Sequence, residues 1–174
     1  MSADIEAAAI AVLEACRARG FKVATAESCT GGLVAGALTE IAGSSDVVDR
    51  GFVTYSNAAK HQMLGVPDET LIAHGAVSRQ TAEAMARGAV AQSLADIAVS
   101  ITGVAGPGGG SAEKPVGLVH FAAASRAGDL IHAEKRYGDI GRAAVRRASV
   151  LQALAMLLAL TKPHNAPGRG NGQT

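Results

Sequence analysis

The sequence predicts an α/β protein, a three-layer α/β/α sandwich on a mixed, mostly parallel sheet of about five strands. Three observations predict it. Short apolar runs alternate along the chain with segments whose apolar residues recur at helical spacing. The run 96–102 has a nearly continuous apolar centre, as expected of a strand covered on both faces. Runs 116–125 and 130–137 are joined only by Arg126-Ala127-Gly128-Asp129, a connection short enough for an antiparallel hairpin.

The elements follow in order. Ile5, Ala9, Val12, Leu13 and Cys16 mark one face of a helix over 4–19, which Gly20 ends. Residues 22–26 form a first strand, and 30–41 a second helix closed by Gly43-Ser44-Ser45. Residues 47–55 form a second strand. Asn57 is the expected cap of a short helix to Leu64, and Pro67-Asp68 starts another that ends at Gly75. Ser78 caps a helix over 79–94, with Ala82, Met85, Ala86, Ala89 and Val90 on its apolar face. A glycine-rich loop, 103–115, follows the third strand. Asp139 is the expected cap of a last helix running to about Thr161. Residues 1–162 read as one domain, and 163–174, rich in Pro, Gly and Asn, as a flexible tail.

Composition excludes several functions. A chain of 174 residues, nearly half apolar, buries a real core. With no Trp, two Tyr and three Phe, that core is built from Ala, Val, Leu and Ile. A net charge of +1 and the scarcity of aromatics argue against a nucleic-acid partner. Cys16 and Cys29 form neither a metal spacing nor a disulfide framework, and no signal peptide is apparent, so a cytoplasmic protein is expected. The longest apolar run, within 153–160, is too short to span a bilayer, so no membrane association is expected. No HExxH, CxxC or DxDxDG pattern occurs, and neither metal nor cofactor is expected.

The chemistry centres on Thr25-Ala26-Glu27-Ser28-Cys29-Thr30-Gly31-Gly32, where a strand hands over to a helix. Ser28 is a candidate nucleophile, and a serine needs a base. His61, His74, His120 and His132 have no acidic neighbour at a telling spacing, and His164 is in the tail. Lys60 is the better candidate base. Placed in a first helical turn and partly buried, its pKa falls, and Ser-Lys pairs are a known variant of the catalytic triad. Tyr55, at a strand end, is positioned to relay a proton or orient the lysine.

Each residue also has a bland reading. Ser28 is a helix cap, Lys60 a solvated charge and Tyr55 a packed strand residue. Cys29 is a competing nucleophile or a small buried hydrophobe. Glu27 is an acid, an exposed charge or a helix-start carboxylate. N–H groups past Ser28, with Gly31 and Gly32, suit an oxyanion or a phosphate. The loop Thr102-Gly103-Val104-Ala105-Gly106-Pro107-Gly108-Gly109-Gly110 either lines a site or is a mobile surface loop. Arg142 and Arg146, four residues apart, clamp a phosphate or form a solvated basic face.

Four segments together resemble the CinA C-terminal domain family. They are Ala26-Glu27-Ser28-Cys29-Thr30-Gly31-Gly32, Thr54-Tyr55-Ser56-Asn57 with Lys60, Ile101-Thr102-Gly103-Val104-Ala105-Gly106-Pro107-Gly108-Gly109, and Lys114-Pro115-Val116-Gly117. The resemblance spans roughly residues 5–160. It implies the same sandwich fold and nicotinamide-nucleotide amidohydrolase activity. That activity is hydrolysis of the carboxamide of nicotinamide mononucleotide to nicotinate mononucleotide and ammonia. It implies Ser28 as nucleophile, Lys60 as general base and Tyr55 as helper, without metal. Thr30, Gly31, Gly32, Thr102, Gly103, Gly106, Gly108, Gly109 and Arg142 become the candidate substrate-binding residues. Val104 stands where Ala is common in the family, with no expected consequence. The chain resembles the stand-alone form, which lacks the molybdopterin-binding-like domain and any pyrophosphatase activity tied to it. A homo-oligomer is expected. The alternative is a non-catalytic nucleotide-binding module that regulates a competence or DNA-damage-response partner. Retention of Ser28, Tyr55 and Lys60 together favours the enzyme.

Overall fold

The computed structural model describes residues 1–163, so the expected tail lies outside the described residues apart from Pro163. In chain order the elements are α1 (Ala3–Arg19), β1 (Val23–Glu27), α2 (Leu33–Thr39), a 3-10 turn (Ser44–Asp46), β2 (Val48–Val53), α3 (Asn57–Leu64), α4 (Asp68–His74), α5 (Arg79–Ala91), β3 (Ile97–Gly103), β4 (Leu118–Ser125), β5 (Leu130–Arg136) and α6 (Arg142–Leu160). The five strands form one sheet in the order β2-β1-β3-β4-β5. β1 pairs in parallel with both β2 and β3, and the β4-β5 hairpin adds antiparallel pairings. Only β4 therefore runs against the rest, and the sheet is mixed and mostly parallel, as expected.

Strand alternation builds the two outer layers differently. Val23, Val99, Ile101, Val119 and Phe121 point to one face, where α1, α2 and α6 supply Val12, Leu13, Leu38, Leu154 and Leu157. Ala24, Ala26, Ala98, Ala122 and Ala124 point to the other, against Ala82, Met85, Ala86 and Ala89 of α5. Small residues on both sides let α5 lie close to the sheet. The α6 helix as a whole is long and apolar enough to cross a membrane, with a mean hydropathy of 1.5. Here its apolar stripe, including Val145, Val150, Ala153 and Leu154, is buried in the first of these faces.

The structure moves several helix ends. Gly31 and Gly32 adopt positive φ of 58° and 98°, so α2 begins at Leu33 and not at Thr30. Ser56, not Asn57, caps α3, its hydroxyl accepting the Ala59 N–H at 3.0 Å. Gly141, not Asp139, precedes α6: the chain bends at Asp139 and Ile140, and Gly141 adopts a positive φ of 92°.

One close approach matters for the site. A Cβ on Gly88 of α5 would overlap the backbone carbonyl of Leu64, the last residue of α3. Gly88→Ala must push these helices apart. Overpacking of this kind costs about 1–3 kcal/mol. The expected result is a fall in the denaturant midpoint, with reduced activity because α3 carries the candidate base Lys60.

Candidate active site

β1, β2 and β3 are the adjacent parallel strands, so their carboxyl ends lie side by side. Ser28 follows β1 directly, Tyr55 comes two residues after β2, and Gly103 closes β3. A cleft of about 290 Å3 opens at these ends, lined by Ser28, Cys29, Tyr55, Val77, Gly103, Val104, Ala105, Gly106, Gly108, Gly109 and Arg142. A larger concavity of about 490 Å3 lies elsewhere, between α1, α2 and α6. It is mainly apolar and holds no candidate nucleophile, so the smaller cleft is the candidate active site.

Lys60 comes to Ser28 from the third helix. The lysine is 1% exposed, which is rare for an amine. Its Nζ lies 3.1 Å from Ser28 Oγ and donates to the Thr54 carbonyl at 2.8 Å. Burial pulls its pKa below the ordinary value, and neighbouring Cys29 opposes this. Of the two causes expected from the sequence, the first helical turn and burial, burial is the leading one here. The Thr54 carbonyl orients the amine; the sequence places Thr54 in a motif but assigns it no role. None of the described histidines contacts Ser28: His61 Nδ1 meets the Val66 carbonyl, and His120 and His132 pair with each other on β4 and β5.

Tyr55 is exposed, and its phenol accepts a hydrogen bond from Arg142 at 2.9 Å. The same guanidinium donates to the Gly106 carbonyl at 3.0 Å. Tyr55 thus reaches Arg142 and makes no hydrogen bond to Lys60. Arg146 lies apart from Arg142. It donates to the carbonyls of Cys29 and Thr30, each at 3.1 Å, so the two arginines do not form one clamp.

Cys29 is 5% exposed within the core. Burial pushes its thiol up to about 11, and the Glu27 carboxylate pushes the same way. Its surroundings are those of a small buried hydrophobe, not of an activated nucleophile.

Glu27 resolves as a helix-start carboxylate and is fully buried. It accepts N–H groups from Gly32 and Val34, each at 3.1 Å, and from Ala35 at 2.8 Å. The Gly31 N–H goes to the Ser28 carbonyl and that of Leu33 to Thr30. The first turn of α2 is therefore occupied by the protein's own groups. The expectation that N–H groups past Ser28 serve an oxyanion or phosphate is corrected on that ground for Gly31, Gly32, Leu33, Val34 and Ala35. Thr30, Gly31 and Gly32 accordingly stand outside the cleft lining. Thr102 is also outside it, its hydroxyl donating to the Ala76 carbonyl at 2.7 Å, next to the lining residue Val77. Among the described residues no three His, Cys, Asp or Glu side chains gather as a metal site.

Comparison with known proteins identifies the family. Residues 5–161 match the CinA C-terminal domain family. The nicotinamide-nucleotide amidohydrolase PncC of Escherichia coli strain K12 is 56% identical over 145 residues, which are 83% of this chain and 87% of that protein. PncC of Enterobacter agglomerans is 53% identical over the same share of each. The crystal structure of the competence/damage inducible protein CihA from Agrobacterium tumefaciens superposes with a TM-score of 0.92 at 62% identity, covering 93% of this chain and 98% of that one. The match takes in every strand of the sheet and every residue of the cleft, and the protein belongs to the CinA C-terminal domain family.

Proposed function

We propose that this protein is a nicotinamide-nucleotide amidohydrolase that converts nicotinamide mononucleotide to nicotinate mononucleotide and ammonia by a metal-independent Ser-Lys mechanism. The observation that carries the reading is a buried lysine 3.1 Å from a serine at the carboxyl end of a central strand. The names of the PncC relatives supply the substrate class.

Neutral Lys60 has one lone pair and two N–H groups. One N–H is held by the Thr54 carbonyl, which leaves the lone pair for the Ser28 proton. Ser28 Oγ attacks the carboxamide carbon, and its proton passes to Lys60 Nζ. The tetrahedral intermediate collapses, Lys60 returns that proton to the departing nitrogen, and ammonia leaves an acyl-serine. Water then attacks the ester, Lys60 takes one of its protons, and the C–O bond to Ser28 breaks. Ser28 regains a proton, and the carboxylate product is free. The glycine loop is the source of backbone donors for the oxyanion and the nucleotide. Gly103, Gly106, Gly108 and Gly109 form its wall of the cleft. Thr102 acts indirectly, by holding the Ala76 segment in place.

Arg142 is the phosphate ligand in this reading, aided by Tyr55. A charged hydrogen bond of this kind is worth about 1.5–3 kcal/mol. Arg142→Ala should therefore raise KM by roughly 10- to 100-fold while changing kcat less.

The test is ammonia release from nicotinamide mononucleotide in the presence of a chelator. Stoichiometric ammonia and nicotinate mononucleotide are expected. Folded protein that releases none would overturn the reading and favour the binding module.

A further inference from the structure

We propose that Glu27 and Arg146 are a pair of positioning residues that hold the nucleophile turn from opposite sides, the carboxylate by its N–H groups and the guanidinium by its carbonyls. This inference rests on Ser28 acting as the nucleophile.

The turn Ser28–Gly32 is short, contains two glycines at positive φ, and carries the reacting hydroxyl. Left to itself such a segment samples many conformations. Its backbone bonds fix the entrance: the Ser28 N–H donates to the Ile101 carbonyl at 2.9 Å, and the Glu27 carbonyl accepts from Thr54 at 2.8 Å. Past Ser28 the restraint comes from charge. The Glu27 carboxylate takes the N–H groups of Gly32, Val34 and Ala35, which anchors α2 to the residue preceding the nucleophile. Arg146 reaches across from α6 and takes the carbonyls of Cys29 and Thr30. The N–H groups at the end of the turn thus meet an anion, and the carbonyls in its middle meet a cation.

The two roles are complementary. Glu27 is fully buried and cannot be replaced by water. Arg146 is only partly buried and lines the groove of about 490 Å3 between α1, α2 and α6, so a small cation can reach its place. Neither residue lines the substrate cleft. Their loss should therefore alter the turnover step more than substrate binding.

The experiment measures kcat and KM for ammonia release from nicotinamide mononucleotide. It compares wild type, Ser28→Ala, Glu27→Gln, Arg146→Ala and Arg147→Ala. Arg147 lines the same groove but pairs with Asp4, and serves as the unaffected control. Misplacement of a reacting group by about 1 Å reduces rate roughly 100-fold. Glu27→Gln places an NH2 group against N–H donors. Its kcat should fall by about that factor with KM within roughly threefold of wild type. Arg146→Ala should lose kcat in the same way and recover at least about tenfold when millimolar methylguanidine is added, whereas Ser28→Ala should not recover. Unchanged kcat in folded Glu27→Gln would overturn the proposal. If Glu27→Gln does not fold, Arg146→Ala decides: unchanged kcat, or a loss that methylguanidine does not restore, overturns it. An inactive wild type, or an active Ser28→Ala, would instead refute the amidohydrolase reading itself.

Discussion

Ser28→Ala should abolish ammonia release, lowering kcat by on the order of 10,000-fold or more, while the protein remains folded. The serine is half-buried and among the described residues its hydroxyl bonds only to Lys60, so truncation removes the nucleophile and little packing. KM is expected to stay near that of wild type if the glycine loop and Arg142 carry the binding. Ser28→Cys is less informative, because a thiolate is a competent nucleophile in its own right. Cys29→Ala separates the two candidate nucleophiles. With its thiol buried and raised to about 11, Cys29 should be dispensable for chemistry. Steady-state kinetics on the single variants check both statements. Full activity in Ser28→Ala would eliminate the mechanism.

The second large effect concerns Lys60. Removing a general base lowers kcat by about 100- to 10,000-fold, and Lys60→Met should show a loss in that range. In the wild type, kcat should rise with pH as Lys60 loses its proton. The plateau should be reached below the ordinary lysine value of 10.5, because burial lowers the pKa. Stability carries the same signature. Between the lowered folded value and 10.5 the unfolded chain binds the lysine proton and the folded chain does not. Stability therefore rises with pH across that window as the penalty for burying the charge is relieved. Lys60→Met lacks this term. The wild type should gain stability relative to the variant as pH increases through the window, which paired thermal melts can measure. A pH-independent difference would show that the lysine is not perturbed by folding.

Much of the candidate site is legible in the sequence alone. Ser28, Lys60, Tyr55 and the glycine loop each follow or stand near a strand end, and parallel strands bring their carboxyl ends together. Gly31 and Gly32 are equally legible, but their N–H groups serve the protein and not a ligand. A glycine marks a backbone that needs freedom, and does not say whether the freed N–H groups face a ligand or the protein. Glu27 decides this point. A carboxylate at the end of a fully buried strand is a usable signal, yet its partners are five to eight residues further on and appear only once α2 turns back over it. Arg146 is harder still, since the carbonyls it holds are 116 and 117 residues away in the chain.

The alternation of apolar runs alone determined the layered fold, the order of its elements and the strand ends at which chemistry would gather. Local periodicity and turn residues report such features directly. Only the tertiary structure decided that Lys60 is buried against Ser28 and fixed by Thr54, that Arg142 turns to Tyr55, and that Glu27 and Arg146 grip the turn between them. Each of these depends on a long-range contact and on exclusion of water. Both arise from how the layers pack and not from any short stretch of chain.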